Sequence, residues 1–211
     1  IDNRNVAVGG STSVDWLPDT RYFRDDLGPH IESADLIIVT IGGNDILYYV
    51  NSLGGIPSDI PAAIEGAREV VLQVIENVRE ILDAIREVNP DADIAYCLYA
   101  DYSQATEHQI WSLVNAVLGA DAVSQVLEVA RSSFPTDDPH LLMVDMYGAA
   151  QGLPLHDYLV DMLHFNTRGQ TLYAEEVFTT LGGVLMGESP LDGDSHSPLG
   201  LERHYGIAPA P

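Results

Sequence analysis

Leu36-Ile37-Ile38-Val39-Thr40-Ile41-Gly42-Gly43-Asn44-Asp45 is the stretch on which the fold turns. The apolar and β-branched run up to Ile41 has no polar alternation. Such a run reads as a strand buried on both faces, the habit of a parallel sheet. It stops at two glycines, followed by an amide and a carboxylate. Three other segments read as strands: Asn5-Val6-Ala7-Val8, which ends at Gly9-Gly10; Ile94 to Tyr99; and Leu141 to Asp145.

Between these strands the apolar period lengthens. From Ile60 to Val88, apolar residues recur at Ile64, Ala67, Val71, Val74, Val78, Ile81, Leu82 and Ile85, which predicts one long helix. Asn89-Pro90 ends it, because proline cannot continue a helix. Gln104 to Arg131 reads as mostly helical with a break at Gly119. Thr167 to Met186 reads as the last helix, interrupted or ended near Gly182-Gly183. Strands alternating with long helices predict an α/β domain over residues 1–186. In such sheets, catalytic groups gather at the carboxyl ends of the strands. Residues 187–211 lose all periodicity and read as a Pro/Gly-rich acidic tail or linker.

Composition narrows the function. The chain has 211 residues, 46% of them hydrophobic, enough for one domain with a real core. Nine basic residues against 32 acidic ones leave a net charge of −23. A surface this acidic repels phosphates, so nucleic acid and anionic membrane surfaces are excluded as expected partners. No apolar run approaches the roughly 20 residues of a spanning helix. All nine basic residues are arginine. Adaptation to high salt and a coding bias with ordinary acidity explain that equally well. Cys97 is the sole cysteine, so no intrachain disulfide forms. Within Ala95-Tyr96-Cys97-Leu98 it reads as a small core residue, with no basic neighbour to activate a thiolate.

Three clusters carry polar groups at strand ends or ahead of a helix: Gly9-Gly10-Ser11-Thr12-Ser13, Gly42-Gly43-Asn44-Asp45, and Asp161-Met162-Leu163-His164-Phe165-Asn166. An aspartate three residues before a histidine can set its carboxylate against Nδ1 and leave Nε2 as a general base. A plain polar loop with Asn166 or Thr167 capping the next helix accounts for the same letters. Asn44 offers an amide donor suited to a developing oxyanion, and Asp45 a brace or cap. The Gly10 turn exposes backbone N–H groups that can face an anion. Each of these also reads as an ordinary turn.

Taken in order, the three clusters resemble blocks of the SGNH (GDSL-type) esterase and lipase family, over roughly residues 3–186. The resemblance implies a three-layer α/β/α sandwich with a mainly parallel, flavodoxin-like sheet. It implies hydrolysis of a carboxylic ester by a Ser-His-Asp mechanism. Asp161 and His164 would be catalytic, and Gly10 and Asn44 would form the oxyanion hole. No metal or cofactor is implied. The substrate would be a small-molecule ester, whether lipid, aryl or acetylated sugar. A secreted or periplasmic setting is slightly favoured.

The family's Gly-Asp-Ser nucleophile block belongs before the Gly10 turn, at the end of a first strand. Here only four residues precede Asn5. The first strand and its serine are therefore expected upstream of Ile1, in a longer protein, and this chain alone is expected to be inactive. Its absence would leave Asn5–Val8 and Leu36–Ile41 each short of a partner, so the chain alone is also expected to be unstable or prone to aggregate. Cooperative melting at high temperature would argue against that. Gly193-Asp194-Ser195 repeats the missing letters, making Ser195 or Ser189 a permuted alternative. The segment before Gly193 is polar and contains Pro190, a poor strand.

Two other readings stay open. A metal-dependent hydrolase could use Asp161, His164, His156 and Asp157. A non-catalytic binding domain would need no nucleophile. Tyr48, Tyr49, Tyr99 and Tyr102 follow strands and could shape an acyl or sugar pocket. His108 and Trp111 sit on a helix, edging the cleft or simply packed. His30, His140, His196 and His204 have no evident partner.

Overall fold

The computed structural model describes residues 2–55, 57–108, 111–112, 114–115, 119, 121–134 and 137–185. In chain order the strands are β1 (Leu36–Val39), β2 (Asp93–Cys97) and β3 (Leu141–Val144). The helices are α1 (Gly28–Ile31), α2 (Gly43–Ser52), α3 (Ile60–Val88), α4 (Ala122–Ser132), α5 (Met146–Ala149) and α6 (Thr167–Leu185). The sheet is parallel, in the order β1-β2-β3, with Ile37 opposite Ile94 and Ala95 opposite Leu142.

β2 is central and buried on both faces. Ile94 and Tyr96 point into a cluster with Ile37, Val78, Ile81 and Ile85. Ala95 and Cys97 point the other way, into a cluster with Val144, Leu155 and Leu172. One cluster is the underside of α3 and the other lies beneath α6. This is the expected α/β/α sandwich, and it explains why the β2 sequence shows no polar alternation.

α3 has the bounds its periodicity predicted. Asp59 caps it by accepting the Ala62 N–H at 3.1 Å. Beyond its end, the Asn89 side chain donates to the Ile31 and Ala34 carbonyls at 2.9 and 3.0 Å. The end of α3 is thereby tied to the chain entering β1. Each buried Val, Leu or Ile of its stripe stabilises the fold by about 1.5–3 kcal/mol.

α6 packs mainly on β3 and β2. Ile37, facing α3, is 8% exposed, whereas Ile38 on the opposite face is 53% exposed. β1 is also a sheet edge among the described residues.

Three expectations need correction. Asn5–Val8 joins no sheet. A short apolar run becomes a strand only where a neighbour takes its backbone hydrogen bonds, and β1 does not pair with it. Of the two edges expected to lack a partner, the one at Asn5–Val8 is therefore not part of the sheet, and the one at β1 remains. Gly182 and Gly183 do not interrupt α6, which continues to Leu185. A helix-interior glycine costs only about 1 kcal/mol relative to alanine, too little to stop a helix whose Val177 and Leu181 are packed against the core. Tyr102–Gln104 is a single 3₁₀ turn, Trp111, Ser112, Val114 and Asn115 are helical, and the helix α4 follows from Ala122. The break at Gly119 is present, with φ +94°. The tail 187–211, with Ser189, Ser195, His196 and His204, lies outside the described residues. Among the described residues no helix is long and apolar enough to cross a membrane.

Candidate active site

The Gly10 turn and the start of α2 are joined directly. Gly10 takes φ +83°, which suits a residue without a Cβ. The next three N–H groups are all engaged. Ser11 donates to the Val8 carbonyl at 3.2 Å, Thr12 to Asp15 Oδ2 at 2.8 Å, and Ser13 to Asp45 Oδ2 at 2.9 Å. The Gly10 N–H has no partner among the described residues. Asn44, in the first turn of α2, donates through Nδ2 to the Ser11 carbonyl at 2.8 Å. Tyr48, one turn further on, donates its hydroxyl to the Gly10 carbonyl at 3.0 Å.

α2 starts immediately after β1 because Gly42 turns the chain with φ +109°. A Cβ there would meet Val74 Cγ1 at 2.6 Å, and one on Gly43 would strike the Tyr99 ring at 2.8 Å. Both glycines allow the helix start to sit close against its neighbours.

A buried polar chain braces this half of the site. Ser13 is fully buried, and its hydroxyl donates to Asp45 Oδ1 at 2.7 Å. Asn77 of α3 donates to the same hydroxyl at 2.8 Å and accepts from Gln73 Nε2 at 2.9 Å. Sequence reasoning gave Asp45 a bracing or capping role and set Ser13 in the Gly10 cluster, but missed Gln73 and Asn77. Both glutamine and asparagine lie on α3, and no local signal points to the turn they support. Ser11 Oγ donates to the Val8 carbonyl and accepts from Trp16 Nε1, both at 2.8 Å. The hydroxyls of Ser11 and Ser13 are thus committed to holding the turn.

The second half is the Asp161–His164 turn. Asp161 Oδ1 accepts the N–H groups of Leu163 and His164, each at 2.8 Å. Its Oδ2 lies 2.8 Å from His164 Nδ1. The His164 N–H first, then the Leu163 N–H, and then the imidazole hold the Asp161 carboxyl down at about 2. The ionised carboxylate fixes Nδ1 as the protonated nitrogen. His164 Nε2 has no hydrogen bond to a described residue, and the side chain is 76% exposed. The capping reading of this loop holds as well: Asn166 Oδ1 accepts from the N–H groups of Arg168 and Gly169. The two roles use different residues.

Contacts carry the His164 loop to the rim where α2 begins. The Phe165 ring lies 5.8 Å from that of Tyr102, beyond β2, and 6.2 Å from that of Tyr173 on α6. The Tyr173 hydroxyl meets Thr40 Oγ1 at 2.9 Å, one residue past β1. Beneath them Cys97 is fully buried, and burial pushes its thiol pKa up. It is a core residue, as expected.

His156 and Asp157 border the His164 loop, since Asn166 donates to the Asp157 carbonyl at 2.9 Å. His156 faces Glu107 through Nδ1 at 3.3 Å and Asp157 through Nε2 at 3.2 Å. Asp157 also pairs with Arg168 at 3.7 Å. No group of three or more His, Cys, Asp or Glu side chains placed to hold a metal ion occurs among the described residues. His140 has a partner after all, Asp93 Oδ1 at 2.9 Å, where β2 begins at the other end of the sheet.

No curated protein matches this chain. A family model described as GDSL-like Lipase/Acylhydrolase family matches residues 1–172 of the 211. That is most of the sequence and includes all three clusters, and on this ground the chain belongs to the GDSL-like lipase/acylhydrolase family.

Proposed function

We propose that the protein hydrolyses carboxylic esters by acyl transfer, with Asp161 and His164 as the acid–base pair and Gly10 and Asn44 as oxyanion donors. Membership of the family supports ester or acyl hydrolysis in general. The observation that carries the finer reading is the 2.8 Å bond between Asp161 Oδ2 and His164 Nδ1, with Nε2 left unpartnered by the described residues.

A serine hydroxyl attacks the carbonyl carbon while His164 Nε2 takes its proton. The carbonyl oxygen becomes an oxyanion, which the Gly10 N–H and the second N–H of the Asn44 amide stabilise. The imidazolium then protonates the departing alcohol. Water attacks the acyl-enzyme by the same route and releases the acid. Ser189 and Ser195 are the nucleophile candidates that the sequence reading raised within this chain, and the labelling below identifies the attacking serine. The committed hydroxyls of Ser11 and Ser13 support neither as the attacking group.

The test is turnover of p-nitrophenyl acetate by the full-length protein, with labelling by a serine-directed fluorophosphonate and mapping of the labelled peptide. Turnover that survives chelator and is abolished by His164→Ala, with one labelled serine, is the expected result. Turnover that His164→Ala leaves unchanged removes the assignment. Ligand binding without turnover favours a binding domain.

A further inference from the structure

We propose that Trp111 is a positioning residue for the general base: its indole N–H pins the turn that carries Asp161 and His164. The inference rests on the esterase reading of that turn. Three N–H groups of the segment from Val160 to His164 find partners inside it. Asp161 takes the N–H groups of Leu163 and His164, and the Val160 N–H donates to the His164 carbonyl at 2.8 Å. The Met162 carbonyl is satisfied from elsewhere. Trp111 Nε1 donates to it at 2.8 Å, across 51 positions of sequence.

Little apolar burial holds the turn. Val160 is 70% exposed and Met162 44% exposed. The Asp161–His164 bond cannot supply an anchor, because both residues belong to the turn and move with it. The indole itself is anchored. Its ring lies 6.3 Å from that of Tyr102 with 22° between the planes, and Tyr102 meets Phe165, the residue after His164. Trp111 therefore ties the histidine turn to the segment that follows β2. A tryptophan needed only to fill space would have no use for its N–H at this carbonyl.

A misplacement of about 1 Å can cost a reaction on the order of a hundredfold, whereas one neutral hydrogen bond shifts an equilibrium by roughly three- to tenfold. Trp111→Phe keeps a ring against Tyr102 and removes the donor, and Trp111→Ala removes both. In the full-length protein, Trp111→Phe is expected to keep the wild-type Tm and KM while kcat on p-nitrophenyl acetate falls about tenfold. Amide exchange at Leu163 and His164 should rise in the same variant without substrate. Trp111→Ala should add a loss of Tm. Wild-type kcat together with wild-type exchange in Trp111→Phe overturns the proposal. So does a kcat loss that vanishes when rates are divided by the fluorophosphonate-titrated fraction of active enzyme. If the wild type shows no ester turnover, the esterase reading fails, while the exchange measurement still decides whether Trp111 holds the turn.

Discussion

Asn44 holds the Ser11 carbonyl at 2.8 Å with one N–H of its side-chain amide. A primary amide has two donors, so the same residue can shape the Gly10 turn and still face a substrate oxygen. Asn44→Ala is expected to lower kcat by roughly 10²–10³-fold, the usual loss of an oxyanion donor. Asn44→Asp should be at least as damaging, because a carboxylate repels the oxyanion. Steady-state kinetics of the full-length protein on p-nitrophenyl acetate checks this, and a loss below fivefold for Asn44→Ala would remove Asn44 from the oxyanion hole.

The pairing of Asp161 with His164 has a definite pH signature. The folded carboxyl titrates at about 2, below its ordinary value of 3.8. Folding therefore favours the ionised form. The resulting stability is complete well above 3.8 and is lost as pH falls toward 2. Asp161→Asn cannot show this dependence. Urea midpoints of wild type and variant should differ by a constant amount near neutrality and converge in acid. Convergence in alkali instead would contradict the ionised pair. The same variant should reduce kcat by on the order of 10³–10⁴-fold, since nothing then holds the imidazole in its working tautomer.

Ser13 tests the brace rather than the chemistry. Its hydroxyl is fully buried between Asp45 and Asn77. Ser13→Ala leaves both partners short of a bond and should lower unfolding free energy by about 1–3 kcal/mol. Asn77→Ala should cost a similar amount. The two losses should not add, because the residues share one network. Denaturant titration of the singles and the double measures the coupling, and strict additivity would show that the chain acts as separate contacts.

The exposure of Ile38 on β1 predicts association. Ile38 is 53% exposed on a strand whose outer edge has no described partner. Such edges invite pairing with other chains. Ile38→Glu should reduce self-association of the 211-residue chain without lowering its stability. Light scattering and thermal melting of the two forms separate these effects. Equal scattering would place the sticky surface elsewhere.

The features that sequence alone determined are those whose partners are close in the chain. α3 could be bounded at Ile60 and Val88 because a 3.6-residue period and Asn89-Pro90 are local signals. The Asp161–His164 pair was readable because three residues of turn bring the carboxylate to the ring. Tertiary structure decided the rest. Asn5–Val8 carries a strand's letters but is not one, since a strand exists only through a neighbour's hydrogen bonds. The bonds from Asn44 to Ser11, Asn77 to Ser13, Trp111 to Met162 and Tyr173 to Thr40 join residues 33 to 133 positions apart. No local pattern encodes such distances; they arise when α3 and α6 bury their apolar faces on opposite sides of β2 and carry the polar residues with them.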